Sequence, residues 1–402
     1  MTDASLDGPL IGRRDLVSAS ALAALFLMAT ACTFTSLGVI LPRMRESLNL
    51  SWSQAGLCFT AMALGCGGTA YAPSWLIARV GLRRTLMAAA AVFALAFGLL
   101  GAANGPLPLF AGCALGGFGF SLAAPVAGEY FIARASRRPA IPLGAYYAMG
   151  SLGGVVGPWL PWLAAHLLPG WRGYWFALAV LVGVVGVLAG LVLREPEARA
   201  AAEARASGPR PALKRWPLVV LWATFLVFLA AESTLNTFGL AHLAAHGVGT
   251  AGATVFLSVS ALATVAGRGL GGVLADRFAA RGLLIASLSS LALGLFGLTL
   301  PGAAALALPC AVLIGFGFGA SLVASTVLLL RYYGVGPNLS LFGMLNTAGA
   351  LAAFAPLAAG RIKDAAGAFD PAFTLLALMS ALVLAAALTL PAEGRSRDEV
   401  QS

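Results

Sequence analysis

Twelve stretches of this sequence are long and apolar enough to cross a lipid bilayer, and no other feature narrows the fold so far. They lie at approximately 16–40, 52–76, 85–104, 106–132, 140–167, 172–193, 217–241, 251–273, 282–300, 303–330, 340–361 and 371–391. A hydrocarbon core about 30 Å thick takes roughly 20 helical residues to span. Hydrophobic residues make up 60% of the chain and charged residues 10%. An ordinary soluble domain carries about 25% charged residues, so this chain cannot clothe itself in polar groups in water. Backbone N–H and C=O groups find no partner in lipid, which leaves helices as the form for these runs. The expectation is an all-α membrane protein with twelve transmembrane helices.

Basic residues orient the chain. With the N-terminus cytoplasmic, nineteen lysines and arginines fall on the cytoplasmic side and five (Arg43, Arg45, Arg172, Arg361 and Lys363) on the other. Both termini are therefore expected inside, and the +10 net charge reads as topology rather than as a nucleic-acid surface. Arg13-Arg14 precedes an apolar run, but eleven more runs follow, which favours a first membrane helix over an export signal. The five cysteines (Cys32, Cys58, Cys66, Cys113, Cys310) all fall inside spans without a C-x-x-C pair and read as buried small hydrophobes.

Shifting the sequence by 198 residues aligns its halves. Arg79 falls on Arg277, Arg83 on Arg281, Gly117-Phe118-Gly119-Phe120 on Gly315-Phe316-Gly317-Phe318, and Pro158 on Pro356. One offset across several spans implies duplication: an N-terminal six-helix bundle (1–193), a polar cytoplasmic linker (194–216) and a C-terminal six-helix bundle (217–402). Two such bundles leave a cavity between them that rocking exposes to each side in turn.

Gly272-Val-Leu274-Ala275-Asp276-Arg277, with its degraded copy Ser74-Trp-Leu76-Ile-Ala78-Arg79-Val-Gly81-Leu-Arg83-Arg84, resembles the major facilitator superfamily. That family's loop between helices 2 and 3, and again between 8 and 9, reads roughly G-x-L-A-D-R-x-G-R-R. The second copy departs at Ala279, and the first lacks the acid, which is Ala78 here. The resemblance implies a cytoplasmic gate built from Arg79, Arg83, Gly272, Asp276 and Arg277. Glu129, followed by Arg134, Arg137 and Arg138, is read as part of the same gate network.

Arg268 is the main candidate for substrate. A charge inside an apolar run costs on the order of 3 kcal/mol by insertion scales. Ser260, Thr264, Gly271 and Gly272 share its helical face, which suits a cavity. Its counterpart in the first repeat is Ala70, so the scaffold does not need the charge. The monocarboxylate porter and oxalate:formate antiporter branch is similar in placing an arginine four residues before the motif's glycine. The resemblance implies that Arg268 binds a carboxylate, for which guanidinium offers a planar fork. The aspartate that monocarboxylate porters carry one turn earlier is Thr264 here. Their helix-1 lysine is absent too, since helix 1 offers Thr30, Cys32, Thr33, Thr35 and Ser36.

Glu232 lies deep in the seventh run with Asn236 on the same face. A short carboxyl removed from water can take up and release protons, so it is the candidate for proton coupling. Straight helices place Glu232 ~22 Å and Arg268 ~8 Å from the cytoplasmic face, and no direct ion pair is expected. Asn236, Tyr146, Tyr147, Asn346 and Thr33 are further cavity candidates, while Trp159 and Trp162 suit either the cavity or the interface. His242 and His246 stand one turn apart without a carboxylate or cysteine nearby in sequence, and are read as a solvated helix end rather than a metal site.

The expected protein is thus a secondary transporter of a small organic anion, a carboxylate by resemblance, coupled to protons by symport. It uses no cofactor, is not an enzyme, binds no nucleic acid, and acts as a monomer in the inner membrane of a bacterium. A proton-driven exporter of drugs or metabolites and a non-transporting membrane sensor are the alternatives.

Overall fold

A computed structural model describes residues 13–69, 71–136, 140–165, 167–168, 170–193, 215–277, 279–333 and 338–391. The described residues are helical, with no strand among them. In chain order the helices are α1 (Arg13–Thr30), continued by a π-helical segment (Ala31–Thr35) into α2 (Ser36–Ser47), then α3 (Trp52–Gly67), α4 (Ala72–Val80), α5 (Leu82–Ala102), α6 (Pro106–Ala123), α7 (Pro125–Ala135), α8 (Ala140–Val156), α9 (Trp159–Ala164) and α10 (Gly170–Val192). The second half contains α11 (Arg215–Ala245), α12 (Thr250–Arg277), α13 (Ala280–Gly297), α14 (Ala303–Tyr333), α15 (Asn338–Ala352), α16 (Ala355–Ala366) and α17 (Asp370–Ala387).

Among the described residues nine helical stretches are long and apolar enough to cross a membrane, or ten when α3 and α4, bent by 45°, count as one. The other breaks have local causes. The pairs α6/α7, α8/α9 and α15/α16 are each interrupted near a proline (Pro125, Pro158 and Pro356). Proline removes one backbone donor and crowds the preceding turn.

Small residues set the packing, because lipid gives apolar helices no hydrophobic reason to associate. A β-carbon on Gly117 would sit 1.9 Å from the Met62 carbonyl oxygen, and one on Gly315 2.0 Å from that of Ser260. Both glycines and both carbonyls are 198 positions apart, so the internal repeat recurs as the same backbone contact.

Two repeat-related hydroxyls also join the halves of the chain. Thr60 Oγ1 donates to the Ala353 carbonyl at 2.7 Å, and Ser258 Oγ donates to the Val155 carbonyl at 2.8 Å. Donors and acceptors again differ by 198. Trp159 Nε1 donates to Ser258 Oγ at 2.9 Å, which places Trp159 at the seam between the two halves. Such interhelical bonds average about 0.6 kcal/mol in a membrane, weak enough for a joint that moves.

One end of the molecule, where α2, α11 and α16 finish and α3, α12 and α17 begin, is closed between the halves. A β-carbon on Gly56 would lie 2.2 Å from the Pro356 carbonyl oxygen, and one on Gly360 2.2 Å from that of Trp52. Asp364 caps α3 from the other half. It accepts from the backbone N–H groups of Trp52 (2.9 Å) and Ser53 (2.8 Å) and from Ser53 Oγ (2.6 Å), satisfying donors that a helix start leaves free. Trp52 packs against Phe369 and Phe238, with ring centroids 5.0 and 5.9 Å away. At the opposite end no comparable set of described contacts joins α4 or α7 to α14 or α15.

Asp364 lies beyond the apolar run. Burial alone would push its carboxyl up, but the bonds from Ser53 and Trp52, with Arg45 nearby, hold it below its ordinary value. A depressed carboxyl stabilises closure above its unfolded value of about 4 and loses that contribution as pH falls through the depressed one. Spin labels flanking α3 and α16 should therefore report a closed end in the wild type at pH 7 and widening only below about pH 4. Asp364→Asn should widen that distance already at pH 7.

Candidate functional site

Between the halves lies a cavity of about 360 Å³. The first half lines it with aromatic rings, Phe26, Phe34, Phe59 and Phe120, and with Thr30, Thr35 and Ser151. The second half contributes Glu232, Ser233, Asn236, Ser260, Thr264, Arg268 and Phe318. Glu232 and Arg268 are the charged side chains among the described lining residues, one of each sign. Their repeat counterparts are Phe34, which also lines the cavity, and Ala70.

Arg268 stands on α12 where that helix faces α8. Its Nη1 donates to Ser151 Oγ at 2.6 Å, and its guanidinium carbon lies 5.1 Å from the centre of the Phe318 ring. Its Nε is buried without a partner. Guanidinium carries five N–H donors, and no described carboxylate comes within 4 Å of it. Glu232 faces the same space from α11, within electrostatic reach but not in contact. The straight-helix heights led to the same expectation of no direct ion pair.

Ser151 ties Arg268 to a second polar group. Its Oγ donates to the Tyr147 carbonyl at 3.0 Å, and the Tyr147 hydroxyl donates to Glu129 Oε1. Glu129, expected among neighbouring arginines, thus has Tyr147 as its described partner, while Arg134 stacks on the Tyr130 ring at 3.7 Å. The physical reason is the break at Ala124, after which α7 turns Glu129 toward α8.

Three sequence candidates, Tyr146, Tyr147 and Thr33, are not among the residues that line the cavity. Tyr146 is buried, its ring 4.9 Å from Phe26 and its hydroxyl donated to the Ala124 carbonyl. Its neighbour Tyr147 takes the polar position, because adjacent helical residues point about 100° apart. Thr33 is buried and donates to the Ala29 carbonyl at 2.6 Å. In an α-helix Thr30 and Thr35 would sit ~140° apart. The wider π turn brings both to the cavity instead and leaves Thr33 behind.

The sequence matches the Major Facilitator Superfamily over residues 22–356. The chain is a member of that superfamily. A relative in Bacillus subtilis (strain 168), the uncharacterized transporter YycB, is 26% identical over 377 residues, 90% of each chain. The nucleoside transporter NupG superposes with a TM-score of 0.74 at 14% identity, covering 94% of this chain and 98% of that one. A bacterial homolog of the human lysosomal transporter Spinster, in an inward-facing and occupied conformation, superposes with a TM-score of 0.73 at 16% identity over 93% and 96%. At such identities the two structures share the fold alone. The superfamily and these structural neighbours are transporters, not enzymes, so this is a multi-pass membrane transporter.

Of the residues expected to form a cytoplasmic gate, Arg79 stacks on Trp75 at 4.5 Å, and Arg83 is exposed. Gly272, Asp276 and Arg277 lie on the last turns of α12, and Asn346 lies on α15, but their side chains fall outside the described residues. Ser151 and Phe34 were missed in the sequence. Ser151 had a faint signal, a hydroxyl inside the glycine series of α8; Phe34 had none until Glu232 was placed opposite it by the repeat.

Tyr146→Phe should lower Tm by a few degrees, as loss of one buried hydrogen bond does, and leave the transport KM unchanged. Tyr147→Phe should do the reverse. Thermal unfolding and uptake kinetics on the two variants check this.

Proposed function

We propose that this transporter moves a small organic carboxylate together with a proton by alternating access. The observation that supports the reading is the Arg268 guanidinium at the cavity wall, with a buried Nε that has no partner and no described carboxylate in ion-pair contact. An arginine kept in apolar surroundings at a cost of several kcal/mol needs a compensating anion. A carboxylate accepts its fork in two parallel bonds. The phenyl rings around it favour a substrate whose body is apolar or planar.

Glu232 supplies the coupling. With Glu232 ionised, its charge and that of Arg268 sum to zero. A bound monovalent carboxylate makes the cavity negative, and a proton on Glu232 restores neutrality. Burying an unbalanced charge is expensive, so anion and proton favour each other's entry, as symport requires. Asn236 and Thr264 orient the substrate beside the pair.

In this reading each interrupted helix pair is one crossing, giving twelve transmembrane helices in two six-helix bundles (1–193 and 217–402) with both termini cytoplasmic. The end sealed by Asp364 and Trp52 then faces outward, and the captured state is inward-open. Arg79, Arg83, Glu129, Gly272, Asp276 and Arg277 belong to the cytoplasmic gate, which engages in the opposite state. The protein works as a monomer in the inner membrane of a bacterium. The carboxylate reading places it in the monocarboxylate porter and oxalate:formate antiporter branch.

A counterflow screen of small carboxylates in proteoliposomes, with and without a pH gradient, tests this. Arg268→Ala and Arg268→Lys should each cut transport by on the order of 100-fold, corresponding to about 3 kcal/mol of charge-assisted hydrogen bonding. Glu232→Gln should retain counterflow and lose proton-driven accumulation. Wild-type rates in Arg268→Lys would sink fork recognition. Efflux of lipophilic cations that survives Arg268→Ala would point to an exporter.

A further inference from the structure

His242 and His246 at the end of α11 are not the solvated helix end expected when no carboxylate lies near them in sequence. His242 is 1% exposed, its ring 4.4 Å from that of Phe373. Asp370, which begins α17, comes to them from a distant part of the sequence. One ring nitrogen from each histidine and one Asp370 oxygen lie within 4.8 Å of one another.

The hydrogen bonds fix which nitrogens are free. His242 Nε2 lies 2.8 Å from the Leu298 carbonyl oxygen, so this nitrogen carries the hydrogen. Its Nδ1 is then a bare lone pair, buried and without a partner. His246 Nδ1 lies 3.0 Å from the His242 carbonyl oxygen and carries the hydrogen there. Its Nε2, left bare in the neutral ring, meets Asp370 Oδ1 at 3.1 Å. Two bare acceptors, His246 Nε2 and Asp370 Oδ1, then face each other at 3.1 Å, and the unpartnered Nδ1 is the His242 nitrogen left for a further bond. Each histidine holds its far nitrogen on a backbone carbonyl, the support that metal-binding histidines use.

We propose that His242 Nδ1, His246 Nε2 and Asp370 bind a divalent transition metal of the zinc, cobalt or nickel class, with water in the fourth position. Tetrahedral bonds of 2.0–2.1 Å place ligand atoms about 3.4 Å apart, so a separation of at most 4.8 Å closes by side-chain rotation. The donor set of two imidazoles and a carboxylate suits these metals and not calcium or magnesium. Lys363, close enough to act on His242 electrostatically, moderates the affinity.

Placement gives the site a consequence. Phe238, one turn before His242, stacks on Phe369, the residue before Asp370, at 4.7 Å, and Trp52 of α3 abuts both rings. A metal here braces α11 against α17 behind the aromatic seam of the closed end. It is independent of the cavity and of what the cavity carries.

The chain has three histidines, so tag-free protein in detergent gives a clean background. Cobalt(II) is titrated by visible absorption and zinc by calorimetry and thermal unfolding. The expected result is one equivalent bound, with an intense tetrahedral cobalt spectrum and a Tm raised by zinc. His242→Ala, His246→Ala and the isosteric Asp370→Asn should each weaken binding at least tenfold and abolish the Tm shift, while His166→Ala changes neither. Absence of stoichiometric binding by the wild type would overturn the proposal. Unaltered affinity in a monodisperse Asp370→Asn or His246→Ala variant would do the same. Each measurement is made without transport, so failure here and failure of the carboxylate reading are separable.

Discussion

Backbone laid directly on backbone is the contact on which the rest of this transporter depends. In lipid, side chains gain nothing from leaving water, and helices hold together only where they come close enough for dispersion and short polar bonds. Gly117 on Met62 and Gly315 on Ser260 meet that demand within each half; Gly56 on Pro356 and Gly360 on Trp52 meet it between halves. Larger residues at these points would hold the helices apart and remove the geometry that lets Thr60 and Ser258 reach carbonyls across the interface.

The two interface bonds are repeat-related, but the cavity beneath them is not symmetric. Positions that are Phe34 and Ala70 in the first half are Glu232 and Arg268 in the second. The first half's wall is uncharged and largely aromatic, while the second half's wall carries both charges. The phenyl rings of the first wall are part of the chemistry, since they lower the local polarizability and strengthen the electrostatic contacts that the charged wall makes.

Features that stand out against an apolar background were legible in the sequence. Arg268 and Glu232 are charges inside helices, the GFGF pairs recur at a fixed offset, and the family's motif is nearly intact in the second half. What escaped depends on rotation and on distance along the chain. The choice between Tyr146 and Tyr147 turns on a helix break at Ala124. That between Thr33 and its neighbours turns on a π turn whose sequence, Ala-Cys-Thr-Phe-Thr, carries no distinctive mark. Ser151 is one hydroxyl among many until Arg268 is seen to point at it. The carboxylate beside His242 and His246 was invisible for another reason: Asp370 belongs to a different helix and only the folded chain brings it there.

Both cavity charges ride on the same half of the molecule, and this bears on membrane voltage. In a rocking cycle the first half presents an uncharged wall on which the potential has nothing to act. The second half carries an opposed pair whose effects cancel while Glu232 is ionised. Under the proposed coupling, that half bears one net positive charge when Glu232 is protonated and no anion is bound. A full charge crossing the membrane is worth about 2.3 kcal/mol per 100 mV. On that proposal, an inside-negative potential would favour inward movement of the protonated, anion-free carrier and leave the loaded carrier untouched.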